Sequence, residues 1–460
     1  MRALPRAVAP AVLTVLALGC SSSDGPKLNG TLTFNDVALF QTVRASLMQP
    51  ASPKVPVIAN KDAMVRAYLA PTGEVVGRTL RVSFRVSSGG KEQSFDSEAV
   101  ANATASDAAP AGLSLATISA DALRVGSKLA VDVHDSLTGE KLASWPGNNT
   151  FYDLGATDAQ DKLRITLVPV QYNADNSGRL PDTSEAMLKD LEATLLAMYP
   201  VAAVEFQMHE PIASTGAVSR NGSGWSTLLD RIATLRQNDK VDRDVYYVGM
   251  VSPAASKQAF CQNACVAGLS FRSSSASDDT SRASLILGYQ GSSTASTLAH
   301  ELGHAHGREH APCDVSDADK DFPYDDGGIG VWGFDRRSQK VLSPEKTKDM
   351  MSYCEPEWVS DYTYNALHER MLKVKALPAR RTAADVEVEA LSVQADGSFA
   401  KLGKMRIDSA VLTEQMEVSD RTGRVAGSVS AKRYEHSDGE SSLVLVRVLP
   451  IGAMRVTFKQ

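Results

Sequence analysis

The sequence predicts an α+β central domain that lies between an N-terminal β-sandwich and a small C-terminal β-domain. Its 460 residues are enough for about three domains that each bury a core. Apolar and polar residues alternate in residues 27–155 and again in 378–460, which is the period of half-buried strands. Within residues 160–376, strand and helix patterns alternate as far as residue 310, which indicates a twisted sheet backed by helices. Helix signals then vanish between His310 and Met351, which indicates an irregular lower subdomain.

The two flanking segments are predicted from this alternation. Residues 80–87 alternate cleanly, and residues 129–133 do so ahead of a Thr138-Gly139 turn. No helical spacing interrupts the first segment, so we predict an immunoglobulin-like sandwich. Residues 443–448 show the same period near the C-terminus. The small β-domain predicted there has two candidate roles, to recognise substrate or to cover a sheet edge.

The central segment contains the elements of a twisted sheet with helices packed on it. The predicted strands are 163–170, 204–208, 245–249 and 284–287, and the predicted helices are 184–199, 225–236 and 364–374. Thr183 or Ser184 is the expected cap of the first helix. His368 lies beside Glu369 and Arg370 on the last helix and is expected to be exposed.

A histidine motif is the most informative feature of the central segment. From His300 to His310 the chain follows the pattern His-Glu-x-x-His-x-x-Gly-x-x-His. On a helix, His300 and His304 project from one face, and Gly307 can adopt the positive φ that turns the chain so that His310 joins them. Three imidazoles at this spacing form a zinc site with an open fourth position. The alternative is a surface helix that is rich in histidine.

Glu301 is the candidate general base of this motif. It follows the first histidine and can reach a water molecule at the metal without ligating the metal itself. His306 falls outside the ligand set by its spacing and is expected to pack or hydrogen-bond at the edge of the cleft. A structural metal site needs no base, so Glu301 favours a catalytic site.

A second motif follows some forty residues later, in Met351-Ser352-Tyr353. Together the two motifs resemble those of the metzincin clan of zinc metalloendopeptidases. The resemblance implies a metzincin-like fold in which Met351, rather than Met350, lies beneath the histidines. It also implies that Tyr353 lies near the metal, where it ligates the ion or stabilises an oxyanion. The alternative is that Met351 and Tyr353 are ordinary core residues.

The resemblance extends to the clan and not to a family within it. The residue after the third histidine is Ala311, where the best-known metzincin families have Asp, Glu, Ser or Pro. The activity that the resemblance implies is zinc-dependent hydrolysis of a protein or glycoprotein. Two alternatives are a surface-binding lipoprotein with a structural zinc fold and a zinc amidase or deacetylase that acts on cell-wall polymers.

The N-terminus has the pattern of an export signal. Arg2 and Arg6 precede an apolar run, residues 7–17, that is too short to span a bilayer. The run ends in a sequence that resembles a bacterial lipobox, so residues 1–20 are predicted to be a signal peptide with Cys20 as the lipidated residue. Residues 21–26 are then a tether. Simple secretion without lipidation is the alternative.

The cysteines agree with an exported protein. There are five, an odd number, and lipidation of Cys20 leaves four. Cys261 and Cys265 are close enough in sequence to close one short loop, which leaves Cys313 to pair with Cys354. The competing interpretation, a metal site at Cys261 and Cys265, lacks a second pair of ligands nearby.

The charged residues argue against a nucleic-acid partner and suggest calcium as a second candidate metal. The net charge of -6 provides no basic surface for nucleic acid. No apolar run after residue 17 has membrane-spanning length, so a lipid anchor is the expected membrane contact. Four acidic residues are candidate calcium ligands: Asp314, Asp317, Asp319 and Asp321. They lack a glycine-hinged calcium loop, so a solvated acidic loop is the favoured interpretation.

Overall fold

The computed structural model describes residues 28–147, 149–158, 162–378, 385–408 and 411–458. The predicted signal peptide, the lipidation site Cys20 and the tether lie outside the described residues. Within these ranges, no helix combines the length and the apolar character needed to cross a membrane.

Two antiparallel sheets pack face to face in the N-terminal part. Their strands are β1 Leu32–Phe40, β2 Arg44–Ser46, β3 Ala63–Pro71, β4 Thr79–Ser88, β5 Lys91–Val100, β6 Ser114–Ile118, β7 Lys128–Asp135, β8 Lys141–Trp145 and β9 Tyr152–Asp153. One sheet has the order β2-β1-β3-β6, and the other has β5-β4-β7-β8 with β9 beside β7. Buried side chains of β1, β3, β4 and β7 form one shared core, which is the arrangement of a β-sandwich.

The central part is a mostly parallel sheet with helices on both faces. Its elements are β10 Leu163–Tyr172, α1 Glu185–Met198, β11 Val204–Met208, β12 Ile212–Ser214, α2 Trp225–Asn238, β13 Val245–Val251, α3 Lys257–Cys261, β14 Gly268–Ser270, β15 Ala283–Leu287 and α4 Ser292–Ala305. The sheet order is β11-β10-β13-β15-β14, with β12 beside β10. Only β14, at the edge, runs antiparallel to its neighbour.

Strands β10, β13 and β15 each contribute side chains to two different cores. In β10, Ile165 and Leu167 face α1 and α4, whereas Val168 and Val170 face α2. Ser184 caps α1 by accepting a hydrogen bond from the Met187 amide, as the sequence predicts. The predicted strands and helices of this region are present, but the sequence analysis missed β12, α3 and β14.

The segment after the histidine motif is short strands followed by one helix. These elements are β16 Gly333–Asp335, β17 Lys340–Leu342, β18 Lys348–Asp349, β19 Glu357–Trp358 and α5 Asp361–Lys375. The predicted exposure of His368 on α5 is wrong, because the residue is 9% exposed. It lies four residues after Tyr364 and three before Met371, both buried, so helical spacing places it on their face.

The C-terminal part is a six-stranded antiparallel sheet, hereafter the C-terminal barrel. Its strands are β20 Asp385–Val393, β21 Phe399–Asp408, β22 Glu414–Ser419, β23 Val425–Glu435, β24 Ser442–Val446 and β25 Arg455–Phe458. The order is β21-β20-β24-β23-β22-β25, and a bridge between Ser398 and Arg455 brings the two ends together. One face of the sheet encloses its own apolar core, and the other packs on α2.

The N-terminal sandwich is joined to the central part through buried hydrogen bonds. The Lys61 amino group, fully buried, donates to the Tyr199 carbonyl at the end of α1 (2.7 Å) and to the Thr42 hydroxyl (3.1 Å). The Tyr199 hydroxyl in turn donates to the Ala299 carbonyl in α4 (2.6 Å). The sandwich therefore contacts the helix that carries the histidine motif through a single intervening residue.

We expect Lys61 to make stability depend on pH between about 7 and 10. Burial, with a smaller contribution from Arg336, lowers the pKa of Lys61 to about 7 from its usual value of 10.5. In this window the unfolded chain binds a proton that the folded chain does not bind, so this group makes the free energy of unfolding rise with pH. The free energy of unfolding, measured by urea denaturation at several pH values, should therefore rise less steeply with pH in Lys61→Met. The difference in slope should be up to about 1.4 kcal/mol per pH unit.

A matched control is Lys54→Met, which removes an exposed lysine of the same segment. This variant should keep the wild-type pH slope. Equal slopes for wild type and Lys61→Met would contradict the assignment.

Candidate metal centre

Helix α4 carries two of the three motif histidines on one face. The ring centroids of His300 and His304, one helical turn apart, are separated by 4.8 Å. Gly307 follows the helix with φ +88°, the positive value that the sequence predicts, and a side chain there would collide with the Arg370 guanidinium. This turn brings the ring of His310 to 4.7 Å from that of His304.

One nitrogen from each of the three rings points into a shared space. The candidate ligand atoms all lie within 4.8 Å of one another. The other nitrogen, Nδ1, is engaged: that of His300 lies 2.8 Å from the Met350 carbonyl oxygen, and that of His304 lies 2.8 Å from the Arg308 carbonyl oxygen. A carbonyl only accepts, so the ring proton is on Nδ1 and the lone pair of Nε2 is free for a metal.

Burial keeps two of these rings neutral. It lowers the pKa of His300 to about 4, and it lowers the pKa of His304 well below the usual value, with a smaller contribution from the neighbouring histidines. Neutral imidazole is the form that binds metal. Three converging imidazole nitrogens match the donor set of a zinc site with an open fourth position.

The third histidine, His310, is oriented by the carboxylate of Asp317, which the sequence suggested as a calcium ligand. Asp317 accepts a hydrogen bond from His310 Nδ1 at 3.0 Å. Its neighbour Asp319 accepts instead from Arg308 (2.9 Å) and from the Tyr362 hydroxyl (3.0 Å). Within the described residues, the three histidines are the only group of at least three potential His, Cys, Asp or Glu ligands that converges.

Glu301 is buried on the flank of the same helix. Its side chain packs against Gly268 in β14, where an added Cβ would collide with the carboxylate. One carboxylate oxygen, Oε2, has no hydrogen-bond partner among the described residues. Burial raises the pKa of Glu301 to about 8. A bound cation nearby favours the ionised form of such a carboxylate.

Met351 lies beneath the histidine helix. It is 1% exposed, and its sulfur is the atom that a side chain at Gly303, between the two helical histidines, would meet first. A buried carboxylate that the sequence analysis missed holds this turn: Asp349 accepts from the Met351 amide and from the Ser360 amide, both at 2.8 Å. The turn that places Met351 under α4 is therefore hydrogen-bonded to the start of α5.

Tyr353 reaches the site from the other side. Its hydroxyl lies 3.1 Å from His310 Nε2, and the side chain is 59% exposed. Partial burial, with smaller contributions from the charges of Glu301 and Asp317, raises the pKa of Tyr353 to about 12. The phenol is thus protonated at neutral pH and available as a hydrogen-bond donor.

His306 has a structural position. Its ring stacks on Tyr246 with centroids 4.4 Å apart, and its Nδ1 lies 2.7 Å from the Leu302 carbonyl oxygen. It therefore packs within the core instead of joining the ligand set, in line with its spacing in the motif.

The structure contains both predicted disulfide bonds, Cys261–Cys265 and Cys313–Cys354. Near the second bond, the Tyr353 amide donates to the Cys313 carbonyl (3.2 Å), and the Ala311 amide donates to the Met351 carbonyl (3.0 Å). The loop that follows His310 is thus connected to the turn that carries Met351 by one disulfide bond and two backbone hydrogen bonds.

Loss of Cys313–Cys354 should weaken both folding and metal retention. We expect Cys313→Ser/Cys354→Ser to lower the free energy of unfolding by roughly 4 kcal/mol, the loop-entropy value for about 40 enclosed residues. Competition with a chelator should show weaker metal binding, because His310 is then less well positioned.

The matched control is Cys261→Ser/Cys265→Ser, which opens a loop of sequence separation 4. Its expected loss is roughly 2 kcal/mol by the same relation, with metal affinity unchanged. Equal metal affinities in the two double variants would contradict this role for Cys313–Cys354.

Comparisons with known proteins bear on the same segment. Residues 287–376 match the sequence profile of the family Peptidase M66. No curated protein matches the chain. Among solved structures, the chain matches a Parabacteroides merdae β-glucuronidase at 12% identity and a TM-score of 0.15, over 48% of this chain and 30% of that one. This last likeness is too slight to bear on the fold. The segment that carries the three histidines is thus similar to a peptidase family.

Proposed function

We propose that this protein is an exported, zinc-dependent endopeptidase of the metzincin type that hydrolyses protein or glycoprotein substrates. The observation that carries the proposal is the convergence of one ring nitrogen each from His300, His304 and His310 beside the buried carboxylate of Glu301. The match of residues 287–376 to a peptidase family supports it.

The three histidines would hold the metal. A zinc ion bound there supplies a Lewis acid and lowers the pKa of water from 15.7 toward about 7. The chain supports this donor set through the partners of each Nδ1, two carbonyls and the carboxylate of Asp317, which fix the rings in the tautomer that binds metal.

Glu301 would act as general base and then as general acid. Its free Oε2 can accept a proton from the attacking water and deliver it to the leaving amine. Because the carboxylate is packed against Gly268, the chain supplies this base in a fixed position before the substrate arrives.

Tyr353 would bind the developing oxyanion. Its protonated hydroxyl is beside His310 Nε2, and its exposed side chain has room to shift toward a substrate carbonyl. Oxyanion stabilisation by a positioned donor is a large contribution in acyl-transfer reactions.

Glu301→Ala tests the chemistry. The variant should retain one metal ion per chain, because no ligand is changed, and should hydrolyse a casein-like protein about 10²- to 10⁴-fold more slowly. Metal content by atomic emission and hydrolysis of a labelled protein are the two measurements.

Glu309→Ala is the matched control, since Glu309 is in the same motif but its side chain is 46% exposed. It should retain activity. Full activity of Glu301→Ala would refute the base assignment, and loss of metal in that variant would make Glu301 structural.

We propose export to the bacterial cell envelope with Cys20 as the lipid anchor. The two disulfide bonds support an oxidising compartment. In detergent phase separation, the wild-type protein should enter the detergent phase, whereas Cys20→Ser should stay in the aqueous phase or remain unprocessed. Aqueous partitioning of both proteins would instead indicate secretion without an anchor.

A further inference from the structure

The C-terminal barrel is hydrogen-bonded to the edge of the central sheet, on which helix α4 of the candidate active site packs. The chain just beyond β14 is covered by residues 435–437 of the barrel. The Arg272 amide donates to the Glu435 carbonyl (2.9 Å), and the Ser437 amide donates to the Ser270 carbonyl (2.8 Å). The Ser270 amide donates to the Ser437 hydroxyl (3.2 Å). The barrel thus continues the central sheet at its edge strand.

A buried polar pair locks this junction. His436, in the middle of the covering segment, lies with Nε2 at 2.7 Å from Asp230 Oδ1 in α2 and with Nδ1 at 2.7 Å from the Ser441 hydroxyl. The side chains of His436 and Asp230 are both 0% exposed. The imidazole also packs edge-on against Phe271, with centroids 4.7 Å apart. The pair therefore connects the barrel, α2 and the edge strand at one point.

The edge strand is also the surface on which Glu301 packs. Gly268, at the start of β14, is in contact with the Glu301 carboxylate. At the other end of the strand, Ser270 Oγ lies 2.8 Å from Ser284 Oγ, and the Ser284 hydroxyl donates to the Glu301 carbonyl at 3.4 Å. Both the side chain and the backbone of Glu301 thus touch the strand or its neighbour.

We propose that His436 and Asp230 are positioning residues for the reaction: they hold the barrel on β14, and β14 in turn holds Glu301 where it can act as base. In this arrangement the C-terminal barrel is part of the catalytic unit and not a separable accessory domain. The inference rests on the proposed function for its kinetic consequence, but its structural part is independent of turnover.

Asp230→Ala in the full-length protein is the test. Amide hydrogen exchange should become faster in residues 268–272 and 435–437, because the pair no longer holds the junction. Metal content should equal that of wild type, since the groups that hold the three histidine rings, the Met350 and Arg308 carbonyls and Asp317, lie outside the barrel. For folded protein, kcat should fall about 10- to 100-fold and KM should stay within about twofold, as expected when a catalytic group is misplaced.

Two further variants separate positioning from general destabilisation. Asp230→Asn keeps an oxygen acceptor for His436 and should restore kcat to within about threefold of wild type. Glu387→Gln breaks an exposed ion pair with Lys404 (2.6 Å) elsewhere on the barrel and should leave exchange and kcat unchanged. Circular dichroism at the assay temperature ensures that only folded protein is compared.

The exchange rates and kcat of Asp230→Ala together test the junction and the positioning role separately. Faster exchange in residues 268–272 with unchanged kcat would overturn the positioning role, and unchanged exchange would overturn the junction itself. If wild type hydrolyses no protein substrate, the proposed function fails, while the exchange measurement still tests the junction. If Asp230→Ala does not fold, Ser437→Ala, which removes one acceptor at the junction, should show the same changes at about threefold.

Discussion

The constraint on which the site depends is that three imidazole rings are held with one nitrogen of each facing the others. His300 Nε2 and His304 Nε2 are 3.1 Å apart, and the protons of both rings are engaged at Nδ1. Two lone pairs this close repel each other, and burial prevents water from relieving the repulsion. A cation between them removes the repulsion, so the geometry of the folded chain itself favours metal binding.

Both flanking β-structures contribute to holding that geometry. The sandwich reaches α4 through Lys61 and Tyr199, and the barrel reaches Glu301 through the edge strand β14. Helix α2 is enclosed between the central sheet and the barrel, with side chains such as Ile232 and Leu445 in one common core. A structural change in the sandwich or in the barrel is therefore transmitted to the histidine site. Domains joined only by flexible linkers would not transmit such a change.

The features that the sequence predicted are those that local spacing determines. The positions of His300 and His304 follow from helical periodicity, and the positive φ of Gly307 follows from the turn after it. Strand β14 was missed because three residues give no period. It pairs with β15, and its other edge is covered by residues more than 160 positions away. Asp317 was considered as a calcium ligand, since only the folded loop shows that its carboxylate meets His310. His368 was judged by its charged neighbours in sequence, although its helical face was already readable from Tyr364 and Met371.

The buried pair of His436 and Asp230 fixes the register of the barrel segment against β14 more than it stabilises the fold. Removing two polar groups from water is costly, and apolar residues of similar size often stabilise a core as well or better. The junction already has apolar contacts that hold the barrel on α2. Those contacts tolerate sliding, but a strand that slips by one residue turns its side chains to the opposite face. A directional hydrogen bond between His436 and Asp230 is satisfied in one register only. That register pairs Ser437 with Ser270, and so it fixes the strand against which Glu301 rests.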